Sequence, residues 1–355
     1  MSLDVTGRFR YPPPDPSWLA LNVEDVIDPA LPIIDAHHHL WTEGDAPYLL
    51  PEIAADVTDG HHITSTVFVQ AHYGYRHDLP VHLAPVGETE KVVAIAAAAR
   101  CADVPTRIAE GIVAHADLLL GSAVGEVIDA HEAVANGALR GIRHSVSRDE
   151  NFPNGIVLRP APADLLADPR YRAGLATLSR RGLSYDAMLY HAQIPELTAA
   201  ARAEPSLPIV LDHLGCVLGV GWYEGREAET FVAWRRALAE LATCANVSVK
   251  FGGLGMVICG ARWHESAAPP SSAELATAWR PYFEACIELF GAQRCMFESN
   301  FPVDKAMYSY RTLWNAFKRL TAAFGDDERR ALFSGTASRF YRIVDPVRPL
   351  ETTRA

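Results

Sequence analysis

No apolar run in this chain approaches the ~20 residues that a membrane-spanning helix needs. The first eighteen residues, MSLDVTGRFRYPPPDPSW, lack the basic-then-apolar pattern of a secretion signal. Cysteine is sparse and scattered: Cys101, Cys216, Cys244, Cys259, Cys286 and Cys295 form no C-x-x-C pair. That spacing argues against a disulfide framework or a zinc knuckle and suits reduced thiols in a cytoplasm. Positive charge is in deficit, with 32 Lys and Arg against 43 Asp and Glu and a net charge of −11. Nucleic acid and anionic membrane are therefore excluded as main partners. No G-x-G-x-x-G follows an early apolar run, which argues against a dinucleotide-binding doubly wound sheet. The stretch GGLGM (252–256) lacks the G-K-[ST] ending of a phosphate loop and predicts no nucleotide.

What is present is a globular chain of 355 residues, 49% hydrophobic and 21% charged, without repeats or low-complexity tracts. Residues 1–31 read as an N-terminal arm, since six of the 24 prolines fall between Tyr11 and Pro32. From residue 32 to about 345, short apolar runs alternate with amphipathic helices, and 346–355 form a tail. The strand candidates are PIIDAH (32–37), TSTVFVQA (64–71), KVVAIAAA (91–98), GIVAHADL (111–118), ALRGIRHSV (138–146), GLSYDAML (182–189), LPIVLDHL (207–214), NVSVKFGG (246–253) and RCMFESNF (294–301). Strands apolar on both faces and separated by helices predict a parallel sheet covered by helices. The pattern fits a single-domain α/β (β/α)8 barrel with loop insertions. It holds one candidate too many, so either 91–98 or 111–118 is peripheral or not a strand.

Groups able to titrate or bind metal recur where these strands end, which is where a parallel barrel gathers its chemistry. The first strand ends in Asp35, His37, His38 and His39, and later ones in Gln70 and His72, Arg143 and His144, Asp186, Tyr190 and His191, Asp212 and His213, Lys250, then Glu298 and Asn300. Side chains alternate along a strand, so His37 and His39 share a face and His38 points away. Two imidazoles so placed suit one divalent ion.

The motifs D-A-H-x-H-L-W (35–41), L-D-H-L-G (211–215) and M-F-E-S-N-F-P-V-D-K (296–305) resemble the amidohydrolase superfamily, in particular its lactonase-like amidohydrolase-related branch. The resemblance runs from about Pro32 to Ile343. It implies a (β/α)8 barrel with its site at the strand carboxyl ends and a divalent metal, Zn or Mn, held by His37, His39 and His213. His191 matches the strand-five histidine of the family and His213 the histidine of the D-H-x-G motif. The family usually reads G-S-D-W-P on strand eight, where this chain has Glu298, Ser299, Asn300, Phe301 and Pro302. An amide accepts no proton at neutral pH, so Asn300 is no general base. Glu298, two residues earlier on the same face, either replaces the missing acid as base or ligand, or is a buried carboxylate paired with Lys250.

The expected catalytic residues are thus His191, His213, Glu298 and Asn300. Arg143, Lys250 and Tyr190 are the candidate substrate-binding residues. A guanidinium fork at a strand end suits a carboxylate, though it equally suits a bridge between rim loops. The expected activity is a hydrolase that opens a lactone or related cyclic ester of a carboxylated small molecule by water attack. Two alternatives are a non-oxidative decarboxylase or lyase on an aromatic or muconate-type acid, and an inactive ligand-binding barrel. Some lactonases of the family work without metal, holding the carbonyl oxygen with histidines and basic residues. A homodimer is expected on general grounds only. The loop GVGWYEGR (219–226) either covers the site or packs on the barrel.

Overall fold

The computed structural model describes residues 11–42, 46–156 and 160–344, so the predicted tail lies outside the described residues. Eight strands follow in order: β1 (Ile33–His38), β2 (Ile63–Val69), β3 (Arg107–Ala114), β4 (Leu139–Ile142), β5 (Ser184–Ala187), β6 (Ile209–Leu211), β7 (Val247–Phe251) and β8 (Cys295–Phe297). Each pairs in parallel with the next. A parallel bridge between His38 and Phe301 brings the end of β8 back to β1. There His39 N donates to Phe301 O at 2.7 Å and Asn300 N to His37 O at 2.9 Å. One helix follows each strand: α1 (Leu50–Val57), α2 (Val86–Cys101), α3 (Val124–Val134), α4 (Pro169–Arg180), α5 (Ile194–Ala203), α6 (Glu227–Ala242), α7 (Ser272–Phe290) and α8 (Tyr310–Leu320). The chain is a (β/α)8 barrel. Among the described residues, no helix is long and apolar enough to cross a membrane.

Two apolar layers hold it together. Outward residues such as Phe68, Ile112, Leu211 and Phe297 pack beneath the helices, and Ile34, Ala36, Val67, Val113, Val210 and Met296 fill the barrel interior. The C-terminal segment joins the interior layer through Ala337, Tyr341 and Ile343. Each fully buried aliphatic side chain stabilises the fold by roughly 1.5–3 kcal/mol.

Two local departures from simple periodicity matter. The candidate strand 91–98 lies inside α2. Alanine favours helix over strand, and Val92, Ala96 and Ala99 make a buried stripe at helical spacing that a run of small apolar residues hides. The strand of that neighbourhood is β3. In β1, Ile34 and Ala36 face the interior, so strict alternation would send His38 inward. A register irregularity between Asp35 and His38 reverses the phase. His37 then faces the axis, while His38 meets Thr66 Oγ1 at 2.9 Å.

Candidate active site

Inward positions near the carboxyl ends of four adjacent strands bring charge to one buried point. Asp186, Asp212, Lys250 and Glu298 alternate with the inner layer on β5 to β8 or just beyond, and all are fully buried. Lys250 Nζ lies 2.7 Å from Asp186 Oδ2, 3.0 Å from Asp212 Oδ1 and 3.2 Å from His37 Nδ1. Tyr341, from the closing helical segment, donates to Asp186 Oδ2 at 2.6 Å. Burial opposes the charge of Lys250, yet Asp186 and Asp212 raise its pKa above the ordinary lysine value. Burial likewise opposes the charge of Asp212, and Lys250 and His37 hold that carboxyl well below its usual range. These charges survive burial because each faces an opposite charge.

The expected Glu298–Lys250 pair does not form, because the aspartates take the lysine. Glu298 turns to histidine instead. Its Oε1 is 2.7 Å from His213 Nδ1 and accepts from His213 N at 3.1 Å, and its Oε2 is 3.0 Å from His37 Nδ1. Burial would raise the Glu298 pKa, but His213 and then His37 bring it down to about 2. The two imidazoles thus keep this carboxylate ionised at neutral pH, where it holds the Nδ1 side of His213. For His213 burial disfavours the charged ring, yet the Glu298 carboxylate raises its pKa above the ordinary value. Two glycines of GGLGM make room for the pair. A Cβ on Gly252 would stand 2.4 Å from Glu298 Cγ, and one on Gly253, at φ +67°, 2.6 Å from His213 Nδ1.

His37 and His39 converge. Their Nε2 atoms are 3.1 Å apart and their ring centroids 4.7 Å. His39 Nδ1 donates to Val69 O at 2.8 Å, which leaves a lone pair on Nε2. His37, Asp212 and His213 offer ligand atoms within 4.8 Å of one another. Imidazole nitrogens and a carboxylate oxygen that converge in this way fit a divalent ion. Arg143 Nη1 also approaches His37 Nε2, at 3.3 Å, so the guanidinium competes for that lone pair.

Above this floor opens a cavity of about 680 Å³. His39, His213, Arg143, Tyr190 and Asn300 all line it. Asn300 Nδ2 donates to Asp304 Oδ1 at 2.9 Å. Burial raises the Asp304 carboxyl to about 6, against the hydrogen bond from Tyr308. Asp304 was not anticipated from sequence, although it lies in the same motif. Arg143 bridges inward, not across the rim: Nη2 donates to Gln70 O, and Nη1 lies 3.5 Å from Asp212 Oδ2.

His191 is not brought to this cluster. β5 ends at Ala187, so His191 opens the helical turn beyond it, where Nδ1 accepts from Leu218 N at 3.3 Å. Its ring stands edge-on to Tyr223, 5.0 Å between centroids. That tyrosine donates to Asp149 Oδ2 at 2.6 Å, so the 219–226 loop packs beside the barrel and does not line the cavity.

Three further rings at the mouth, His72, His115 and His144, follow one another at centroid distances of 5.6 and 5.3 Å. Burial lowers the pKa of all three, that of His115 to about 3. His115 was hidden inside an apolar run of the sequence. The arm adds Tyr11, whose hydroxyl lies 3.6 Å from Met256 Sδ.

Buried acids, bases and imidazoles gathered at the strand carboxyl ends mark the site of a (β/α)8-barrel enzyme. Residues 34–343 match the amidohydrolase family model, and the chain belongs to that family. An uncharacterised protein of Sinorhizobium fredii, y4mH, is 34% identical over 88% of this chain and 98% of its own length. An L-fucono-1,5-lactonase of Burkholderia multivorans is 30% identical over 59% of this chain and 64% of its own. Among solved structures, a B. multivorans amidohydrolase crystallised with bound zinc superimposes with a TM-score of 0.66. It is 23% identical and covers 88% of this chain and 99% of its own.

Proposed function

We propose that this chain opens a lactone or related cyclic ester of a carboxylated small molecule, with His213 as the proton carrier. The observation that carries this is the Glu298–His213 pair at the cavity floor, 2.7 Å between Oε1 and Nδ1. A carboxylate on Nδ1 fixes the tautomer and leaves the Nε2 lone pair for a proton, as in the orienting acid of a hydrolytic triad. His213 Nε2 takes a proton from water as the water oxygen bonds to the acyl carbon. The acyl–oxygen bond of the ring then breaks, and the same nitrogen returns the proton to the departing oxygen. Water has been added across one bond and a hydroxy acid is released. His39 Nε2 offers a second acceptor to the attacking water. Arg143, the one arginine or lysine lining the cavity among the described residues, attracts an anionic substrate.

A divalent ion, when bound, would be held by His37 and Asp212, two of the three residues whose ligand atoms converge, and would polarise the carbonyl. The L-fucono-1,5-lactonase relative supports the reaction class. The test is product analysis on a panel of lactones and aryl carboxylic acids, with His213→Gln beside the wild type. Ring opening that falls about 10²–10⁴-fold in the variant is expected. Release of carbon dioxide from the acids with no lactone opened would replace the proposal by a decarboxylase.

A further inference from the structure

The cavity has two unlike walls, and together they describe the substrate more closely than the reaction does. The loops after β2, β3 and β4 bring most of the hydrogen-bonding groups, beside Ala71, Ala161, Pro162 and Leu165. Arg143 is 7% exposed and its Nε has no partner among the described residues. Gln70 is 4% exposed and its Oε1 is likewise without a partner. The Leu118 backbone N–H donates to His144 Nδ1 at 3.1 Å, which places the proton of that neutral ring on Nε2. His115 is set in place from both sides. Its Nδ1 donates to Arg143 O at 3.1 Å, and its carbonyl accepts from the buried His131 at 3.0 Å. A buried donor without a partner, such as Arg143 Nε, costs free energy unless a ligand satisfies it, and the Gln70 Oε1 acceptor calls for a donor in the same way.

A second set of lining residues comes from the loops after β1, β5 and β7. Trp41, Met188, Met256 and Ile258 belong to it. Indole, thioether and alkyl surfaces offer dispersion and burial to an apolar body, and the hydrogen-bonding groups beside them are the hydroxyls of Tyr11 and Tyr190. The volume is also well above that of a single small ring, which leaves room for a body beyond the reacting group.

We propose that the polar wall seats a substrate carboxylate, through Arg143 Nε and His144 Nε2, and that the rest of the substrate is apolar, an aryl or alkyl body lying on the Trp41–Met188–Met256–Ile258 wall. This assignment rests on the lactonase reading for the reaction but not for the binding. It separates the chain from enzymes whose lactones are polyhydroxylated. The carboxylate is not the acyl group attacked, so it survives ring opening and remains on the product.

The test has a binding arm and a turnover arm, both on the full chain. In the first, titration calorimetry compares 3-phenylpropionate with 3-phenylpropanamide. A charge-assisted pair predicts that the acid binds about tenfold tighter or better. His144→Phe keeps a flat ring and removes the donor, and is expected to erase a large part of that preference. The wild-type comparison stands even if the variant does not fold. In the second arm, an aryl lactone bearing a carboxylate is compared with its methyl ester and with an aldono-1,5-lactone. The carboxylated aryl lactone is expected to have the highest kcat/KM. Equal binding of acid and amide, or faster opening of the aldonolactone, overturns the assignment. Preference for the acid with none of the three lactones opened upholds it while removing the lactonase reading.

Discussion

The floor of the cavity and its walls are built on opposite terms. In the floor, Asp186, Asp212, Lys250 and Glu298 are fully buried and every formal charge faces another charge or an imidazole. In the walls, histidine rings are kept neutral by burial and share the cavity with thioethers and an indole, with Arg143 as the single cation. A charge network without solvent is rigid, since moving any member strands another. Neutral groups can meet different ligands at little cost. On the proposed reading, the difference assigns proton transfer to the floor and discrimination among substrates to the walls.

That division breaks first at His213. If the floor carries the chemistry, His213→Gln lowers kcat about 10²–10⁴-fold while KM moves little. A variant within tenfold of wild type would return the proton transfer to another group. Next in size is Lys250→Met, which leaves Asp186 and Asp212 without their cation. Breaking a buried pair in this way costs about 3–5 kcal/mol, read as a lowered urea midpoint at unchanged m-value. A midpoint equal to the wild type would mean that the aspartates take up protons without cost.

Smaller effects sharpen the comparison at its boundary, where Arg143 touches floor and wall alike. Arg143→Lys keeps the charge but loses the planar fork, and a rise in KM of about tenfold is expected for carboxylated substrates. If kcat falls instead, the arginine belongs wholly to the floor.

The mildest prediction concerns Asp304, whose carboxyl burial lifts from 3.8 to about 6 in the folded state. The folded state then binds its proton more readily than the unfolded state, so wild-type stability gains from this group as pH falls through about 6 and loses it as pH rises. Asp304→Asn lacks the titration. The stability of wild type relative to the variant should therefore increase below pH 6, by up to about 1.4 kcal/mol per pH unit. A difference independent of pH between 7 and 5 would refute the shift.

Much of this arrangement is legible in the chain. The strands announce themselves as runs of Val and Ile apolar on both faces, and their polar final residues mark one end of the barrel before any coordinate is known. The convergence of His37 with His39 follows from a period of two. Other features were hidden for identifiable reasons. The alanine run of α2 carries too little polarity to display a helical stripe. His115 sits among apolar neighbours, and His191 lies four residues past a strand shorter than its apolar run suggests.

By itself, then, the sequence determined the barrel, the end that bears the chemistry and most of the groups that gather there, because periodicity and strand length are local properties. Only the tertiary structure decided the pairing: Lys250 with two aspartates, Glu298 with His213 and His37, Tyr341 with Asp186, and Met256 and His144 on one cavity. Those partners are set by barrel closure and by how deep each inward residue sits. A register irregularity in β1 is enough to exchange which histidine faces the axis.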